Sequence, residues 1–351
     1  MGNDVIVGSD SVINIINIIN GNDGNDTITG GVNNDVLIGA AGKDVLYGGG
    51  GNDSIWGGGM ADVISGGIGN DTLFGDGAND TVYGGAGDDV IYGGTGADIL
   101  NGGAGNDTYY VDNILDLVVE TATGGIDTVI SSLGISIAAN IENLVLTGTA
   151  AVNVAGNALN NTITGNAAGN TIGGGDGNDT LSGAGGVDLL NGGAGADKIS
   201  GGTGNDGIFG GGSNDVINGD SGNDKIYGDG GNDKISGGAG NDVMFGGQLQ
   251  GGFSAGLDTF AWLKADVVDG IGVRLGFDHI ADFMAGDKID FSGLALAPAP
   301  ITSLIHVTDT AAGTVVAANF GGAVGFVDIA ILDGVHHMTL ADFIHTASIL
   351  V

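Results

Sequence analysis

Aspartate recurs in this chain on a clock of nine residues. Asp26, Asp35, Asp44, Asp53, Asp62, Asp71, Asp80, Asp89, Asp98 and Asp107 form one unbroken series. Asp179, Asp188, Asp197, Asp206, Asp215, Asp224, Asp233 and Asp242 form a second. Carboxylates are hard oxygen donors, and a close-spaced column of them cannot stay ionised without counter-charge. Oxygen-only ligation among Gly-rich loops full of backbone carbonyls suits a cation with about six to eight ligands, which selects Ca2+ over Mg2+ or Zn2+. The chain brings few cations of its own. Its 42 acids, all Asp except Glu120 and Glu142, face seven bases, for a formal net charge of −35.

The elements that must position these carboxylates follow from the residues between them. Two places after each Asp stands an apolar side chain: Ile28, Leu37 and Leu46 at the start of the first series, Leu181, Leu190 and Ile199 at the start of the second. Before each Asp lies a Gly-rich stretch such as Gly66-Gly67-Ile68-Gly69-Asn70-Asp71. Gly, Asn and Asp tolerate positive φ and favour tight turns. The three residues that follow, polar–aliphatic–variable, suit a very short strand with its middle residue turned to one face. Turn, strand, turn, strand makes one coil of 18 residues, and stacked coils form two parallel sheets around a thin aliphatic core. At about 4.8 Å per coil the first block extends roughly 24 Å and the second about 19 Å. Stacking brings Asp26 to Asp44, Asp35 to Asp53, and so on. Counting such pairs gives about 14 ions, whose +28 against −35 leaves about −7.

The repeat Gly84-Gly85-Ala86-Gly87-Asp88-Asp89-Val90-Ile91-Tyr92 resembles the RTX nonapeptide of secreted bacterial proteins. That resemblance implies a right-handed parallel β-roll or β-helix solenoid, with Ca2+ held between successive turns by the Asp side chain and turn carbonyls. It also implies export by type I secretion machinery through an uncleaved C-terminal signal. The chain then divides into a first roll block (1–110), a β-helical spacer with degenerate repeats (111–170), a second roll block (171–250) and a C-terminal capping and secretion segment (251–351). In the spacer Asn161 and Asn170 stand at Asp positions of the register, where a neutral amide makes a poorer calcium site. Wider or metal-free coils are expected there. Asp278-His279-Ile280-Ala281-Asp282-Phe283 and Gly286-Asp287-Lys288-Ile289-Asp290-Phe291 resemble the segment that follows such repeats in serralysin-type exoproteins. The end, Leu340 to His345 and Ser348 to Val351, is similar to the acidic-then-apolar termini of type I substrates.

A second pattern sits three residues after each Asp. Trp56, Phe74, Tyr92 and Tyr110 fall on one side of the first block, and Phe209, Tyr227 and Phe245 on one side of the second. The opposite rows are largely polar. Such a face stiffens a short-stranded sheet by in-register stacking, lies under the chain's own C-terminal segment, or docks glycan or another copy of the chain. Stacking or cover by the chain's own C-terminal segment is the favoured reading.

Composition and motif searches exclude other classes. Gly makes up 76 of 351 residues, but only two prolines and no third-residue repeat exclude collagen. This much glycine opposes long helices, at about 1 kcal/mol for each helix-interior position. Strong acidity argues against nucleic acid and anionic membranes. No apolar run reaches membrane-span length, and no Lys or Arg precedes Lys43 as a secretory signal requires. Absence of Cys leaves no disulfide framework. Gly252-Phe253-Ser254-Ala255-Gly256 matches the G-x-S-x-G nucleophile pattern but lacks the strand before it and the helix after it. Among the five His there is no H-E-x-x-H, and Gly42-Lys43 is followed by Asp44 rather than the Ser or Thr of a phosphate loop. The sequence therefore reads as a non-enzymatic, extracellular, calcium-binding β-roll protein of surface-layer, matrix or adhesin type. The alternative is the C-terminal export and folding module of a larger secreted protease, lipase or alginate epimerase. The opening Met1-Gly2-Asn3-Asp4 reads as half a repeat.

Overall fold

A computed structural model describes residues 2–8, 17–247, 258–263, 278–281, 288–293, 305–310, 313–319 and 326–332. All elements among the described residues are β-strands, and no helix is long and apolar enough to cross a membrane. Two compact units emerge: Met1–Gly148 with Val152–Thr162, and Thr149–Ala151 with Ile163–Val351.

In the first unit successive strands alternate between two parallel sheets. One holds Val5–Val7, Thr27–Gly31, Val45–Gly50, Val63–Ile68, Thr81–Ala86, Ile99–Ala104 and Leu117–Val119 in that order. The other runs from Ile18–Asn20 through Val36–Ala41, Ser54–Gly59, Thr72–Gly77, Val90–Tyr92, Thr108–Val111 and Thr128–Ser131 to Asn143–Leu146. From Ile18–Asn20 and Thr27–Gly31 onward through the regular repeats, each paired residue faces the residue 18 places on, as in Ile64↔Val82 and Ile55↔Leu73, whereas Val5 pairs with Thr27. The β-roll expected from the nonapeptide clock is the fold. One detail differs: many strands have six residues where the pattern predicts three. The turns stack in register as well, so Gly67↔Gly85 and Ile68↔Ala86 prolong the ladder past the aliphatic position. At Gly67, φ is +116°, and an added Cβ would lie 2.1 Å from the Gly49 carbonyl oxygen one coil back. Only glycine fits there.

The core is one side chain thick. Ile28, Leu37, Leu46, Ile55, Ile64, Leu73, Val82, Ile91 and Leu100 are completely buried, and Tyr109 continues the row. Past Asp107 the coils change size, as the loss of the clock predicts. Thr108 pairs with Thr128 and Thr128 with Asn143. Those steps are 20 and 15 residues.

The second unit repeats the plan. Thr171–Asp176, Leu189–Ala194, Gly207–Gly212, Lys225–Gly230, Val243–Gly247 and Asp278–Ile280 follow one another in one parallel sheet. Lys198–Thr203, Val216–Ser221, Lys234–Ser236, Thr259–Leu263 and Lys288–Gly293 follow in the facing one. Phe326–Leu332 then adds in parallel to Asp278–Ile280 and receives the antiparallel strands Gly313–Asn319 and Ile305–Thr310. The described strands of this sheet thus end in antiparallel pairing.

Candidate metal centre

Each clock Asp sits where a turn enters a strand, and its side chain is turned inward beneath the next coil. All eighteen are at most 3% exposed. Their carboxylates are held in a repeating way: Oδ1 accepts a hydrogen bond from the backbone N–H of the residue one coil back. The Asp26 N–H donates to Asp44 Oδ1, Asp35 to Asp53, Asp44 to Asp62 and Asp53 to Asp71, each at 2.7 Å. In the second series Asp179, Asp188, Asp197 and Asp206 donate in the same way at 2.8 Å. The 18-residue pairing read from the sequence is therefore physical contact.

The other oxygen is different. Oδ2 of all ten aspartates in the first series, and of Asp188 through Asp242 in the second, is buried with no hydrogen-bond partner. A buried polar atom without a partner costs about 1–3 kcal/mol, and more when charged. The glycine four residues after every clock Asp except Asp107 shows where these oxygens point. A Cβ on Gly48 would lie 2.2 Å from Asp53 Oδ2 and 2.5 Å from the Gly66 carbonyl oxygen, and one on Gly39 would lie 2.5 Å from Asp44 Oδ2 and from Gly57 O. Carboxylate and carbonyl oxygens converge there with no donor between them, so the donor set fits a hard cation. Among the described residues, no basic side chain is built to serve instead. Lys43 is the one Lys or Arg before Lys198, and it is exposed. Lys198, Lys225 and Lys234 stand one residue after an Asp on the outer face, with Lys225 Nζ 5.1 Å from the Tyr227 ring centroid.

The electrostatics follow from burial. Desolvation pushes Asp53, Asp62, Asp80 and Asp89 up to about 7; the backbone N–H one coil back opposes the shift, and neighbouring carboxylates add to it. Asp215 and Asp224 rise to about 7 and Asp233 to about 8 for the same reasons. Burial without a cation therefore disfavours the ionised form of these aspartates.

The columns run further than the clock. Asp98 N–H donates to Asp116 Oδ1 at 3.1 Å, Asp107 to Asp127 Oδ1 at 2.8 Å, and Asp127 to Glu142 Oε2 at 2.8 Å. Asp233 donates to Asp258 Oδ1 at 2.9 Å and Asp242 to Asp278 Oδ1 at 3.3 Å. Asp116 keeps the nine-residue spacing but lacks the preceding glycines; the others follow coils of unequal length. Their surviving signal is an Asp two places before a buried apolar residue, as in Asp127-Thr128-Val129 and Asp258-Thr259-Phe260. Asn161 solves the problem differently. Its Nδ2 donates to the Ile141 carbonyl at 2.9 Å and also to Glu142 O, so an amide meets carbonyls here.

The aromatic rows form two ladders. Trp56, Phe74, Tyr92 and Tyr110 stack with centroids 5.1, 4.7 and 4.1 Å apart and planes within 12°. Phe209, Tyr227 and Phe245 stack at 4.9 and 4.6 Å. The inner rings spend both faces on each other and present their edges outward. The Gly252–Gly256 motif, His336, His337, His345 and the C-terminal signal residues from Leu340 onward lie outside the described residues.

A family model for the RTX calcium-binding nonapeptide repeat (4 copies) matches in overlapping stretches over residues 16–109 and 155–248, just over half of the chain. Among curated proteins there is no match. Among solved structures, the chain is similar to the AlgE6R3 subunit from the Azotobacter vinelandii mannuronan C5-epimerase, at 31% identity and a TM-score of 0.27. That match covers 35% of this chain and 66% of the subunit, just under two thirds of its length.

Proposed function

Because the chain belongs to the RTX calcium-binding nonapeptide repeat family, we propose that it is an extracellular protein whose activity is calcium-driven folding. Its eighteen clock aspartates, Asp26 to Asp107 and Asp179 to Asp242, would serve as ligands to about 14 ions between stacked coils. One observation carries this reading: rows of buried Oδ2 atoms without a donor, in a unit whose sole basic side chain is exposed. Bound Ca2+ supplies the positive charge those oxygens lack. Before loading, the aspartates repel one another and keep the chain open, a form suited to passage through type I secretion machinery. In the calcium-rich exterior, each ion that binds the folded form and not the unfolded one adds to stability by mass action.

On this reading, segments 1–110 and 171–250 are the ion-loaded blocks, 111–170 is the spacer, and 251–351 is the cap with its export signal. The folded chain serves as a surface-layer, matrix or adhesin component and carries out no reaction. The stacked geometry of the ladders supports a stiffening role, since a glycan needs an open ring face. The test is far-UV circular dichroism of the full chain in excess Ca2+ and after chelation at neutral pH. Loss of the sheet signal is expected; a signal that survives complete removal of calcium overturns the switch.

A further inference from the structure

Glu120 stands at a position that the regular repeats of the first unit give to glycine. Four residues after each aspartate from Asp26 to Asp98 stands a glycine; four residues after Asp116 stands Glu120. The pairing Ile99↔Leu117, Leu100↔Val118, Asn101↔Val119 puts Glu120 one coil above Gly102. A Cβ on Gly102 would lie 2.1 Å from Asp107 Oδ2 and 2.3 Å from the Tyr109 hydroxyl, so a side chain from this position is aimed at the column. In a regular coil there is no room for one. Here the step from Asp107 to Asp127 is 20 residues, and the longer turn admits a carboxylate.

The result is a cluster unlike the others. Oxygens of Asp107, Glu120 and Asp127 lie within 4.8 Å of one another. Asp107 and Asp127 are 1% and 0% exposed, and the Oδ2 of each is buried with no hydrogen-bond partner. A Cβ on Gly124 would lie 2.5 Å from Glu120 Oε2 and 3.3 Å from Asp127 Oδ2, so both oxygens face one spot. Glu120 is held there from two sides. The Tyr109 hydroxyl donates to Oε1, and the Thr121 N–H donates to Oε2 at 3.0 Å. Tyr109 is fully buried, and its own oxygen accepts from the Gly102 N–H at 2.6 Å.

We infer that Asp107, Glu120 and Asp127 form a separate three-carboxylate site for one hard divalent cation of Ca2+ size, placed where the regular first block ends. Ligands at about 2.3–2.6 Å from Ca2+ stand up to about 5 Å apart across the ion, and the oxygens of this cluster lie within that limit. Oxygen-only donors disfavour Zn2+. A third carboxylate raises ligand charge, so this site binds more tightly than the two-aspartate sites of the regular columns. The inference rests on the calcium reading of the columns, with which it shares Asp107 and Asp127, and adds Glu120 as the third carboxylate.

Native mass spectrometry of the full chain during calcium titration tests it, with Glu120→Gln beside the unaltered protein. The unaltered chain should fill one site first, and Glu120→Gln should lose that early ion or bind it at least ~10-fold more weakly, with the later ions unchanged. Glu120→Asp keeps the charge on a shorter arm and should fall between the two; it serves also if the glutamine variant does not fold. Equal early occupancy in all three chains overturns this site and leaves the columns standing. No calcium binding in any chain overturns both.

Discussion

Replacing Gly66 by Ala tests the idea that the first glycine of each turn exists to make room for a carboxylate. Gly66 does not occupy the left-handed φ region, so alanine meets no backbone strain. Its Cβ would, however, lie 2.2 Å from Asp71 Oδ2 and 2.7 Å from the Gly84 carbonyl oxygen. Against an ordinary contact of roughly 3.5 Å, the carboxylate must retreat by about 1 Å. Asp71 Oδ1 accepts from the Asp53 N–H at 2.7 Å, and that retreat takes the bond out of range. A buried N–H without a partner costs about 1–3 kcal/mol, and displacement of the Gly84 carbonyl brings the expected loss to about 2–4 kcal/mol. Gly59→Ala is the control: its Cβ would find only Ala40 O, at 3.8 Å, and should change stability by less than about 0.5 kcal/mol. Gly67→Ala, with φ at +116° and a 2.1 Å contact to backbone, should be the worst of the three. Urea unfolding followed by far-UV circular dichroism in excess Ca2+ gives the ranking. Equal midpoints for Gly66→Ala and Gly59→Ala would refute the reasoning.

Other outcomes follow from the same geometry. In chelator the buried aspartates have folded-state values raised to about 7, as at Asp53, Asp62, Asp80 and Asp89, against an ordinary 3.8. A raised value means protonation favours the fold, so this stability is full below about pH 4 and is lost as pH rises through about 7. Chelated protein should therefore hold its sheet signal in mild acid and lose it towards neutrality; a flat signal across that range contradicts the burial argument. Phe74→Ser removes two stacked pairs, with Trp56 at 5.1 Å and Tyr92 at 4.7 Å. At about 0.5–1.5 kcal/mol a pair it should cost about 1–3 kcal/mol and leave the number of bound calcium ions unchanged. An unshifted urea midpoint would show that the ladder does not stiffen the sheet. Tyr109→Phe leaves the Gly102 N–H and Glu120 Oε1 without their shared hydroxyl. Its midpoint should fall by an amount equivalent to about 1–3 kcal/mol, and no fall would remove Tyr109 from the support of Glu120.

The nine-residue clock determined, without any coordinates, the two-sheet roll, its one-residue core and the pairing of each Asp with the Asp 18 places on. It could do so because a stacked coil has no long-range freedom: equal coils leave a single register, and local turn chemistry sets the coil. It also showed what the columns lack, since 42 acids against seven bases is a matter of counting. Where coils change length the spacing carries no register, and only three-dimensional contact does. Asp127, Asp258 and Asp278 therefore joined the columns only in the folded chain, across steps of 20, 25 and 36 residues. Glu120 was visible as one of two glutamates, but its meaning was not. Strand pairing placed it above Gly102, and two extra residues of turn gave its carboxylate space beside Asp107 and Asp127. Which oxygen of each Asp is held and which is bare was likewise a matter of how one coil sits on the next.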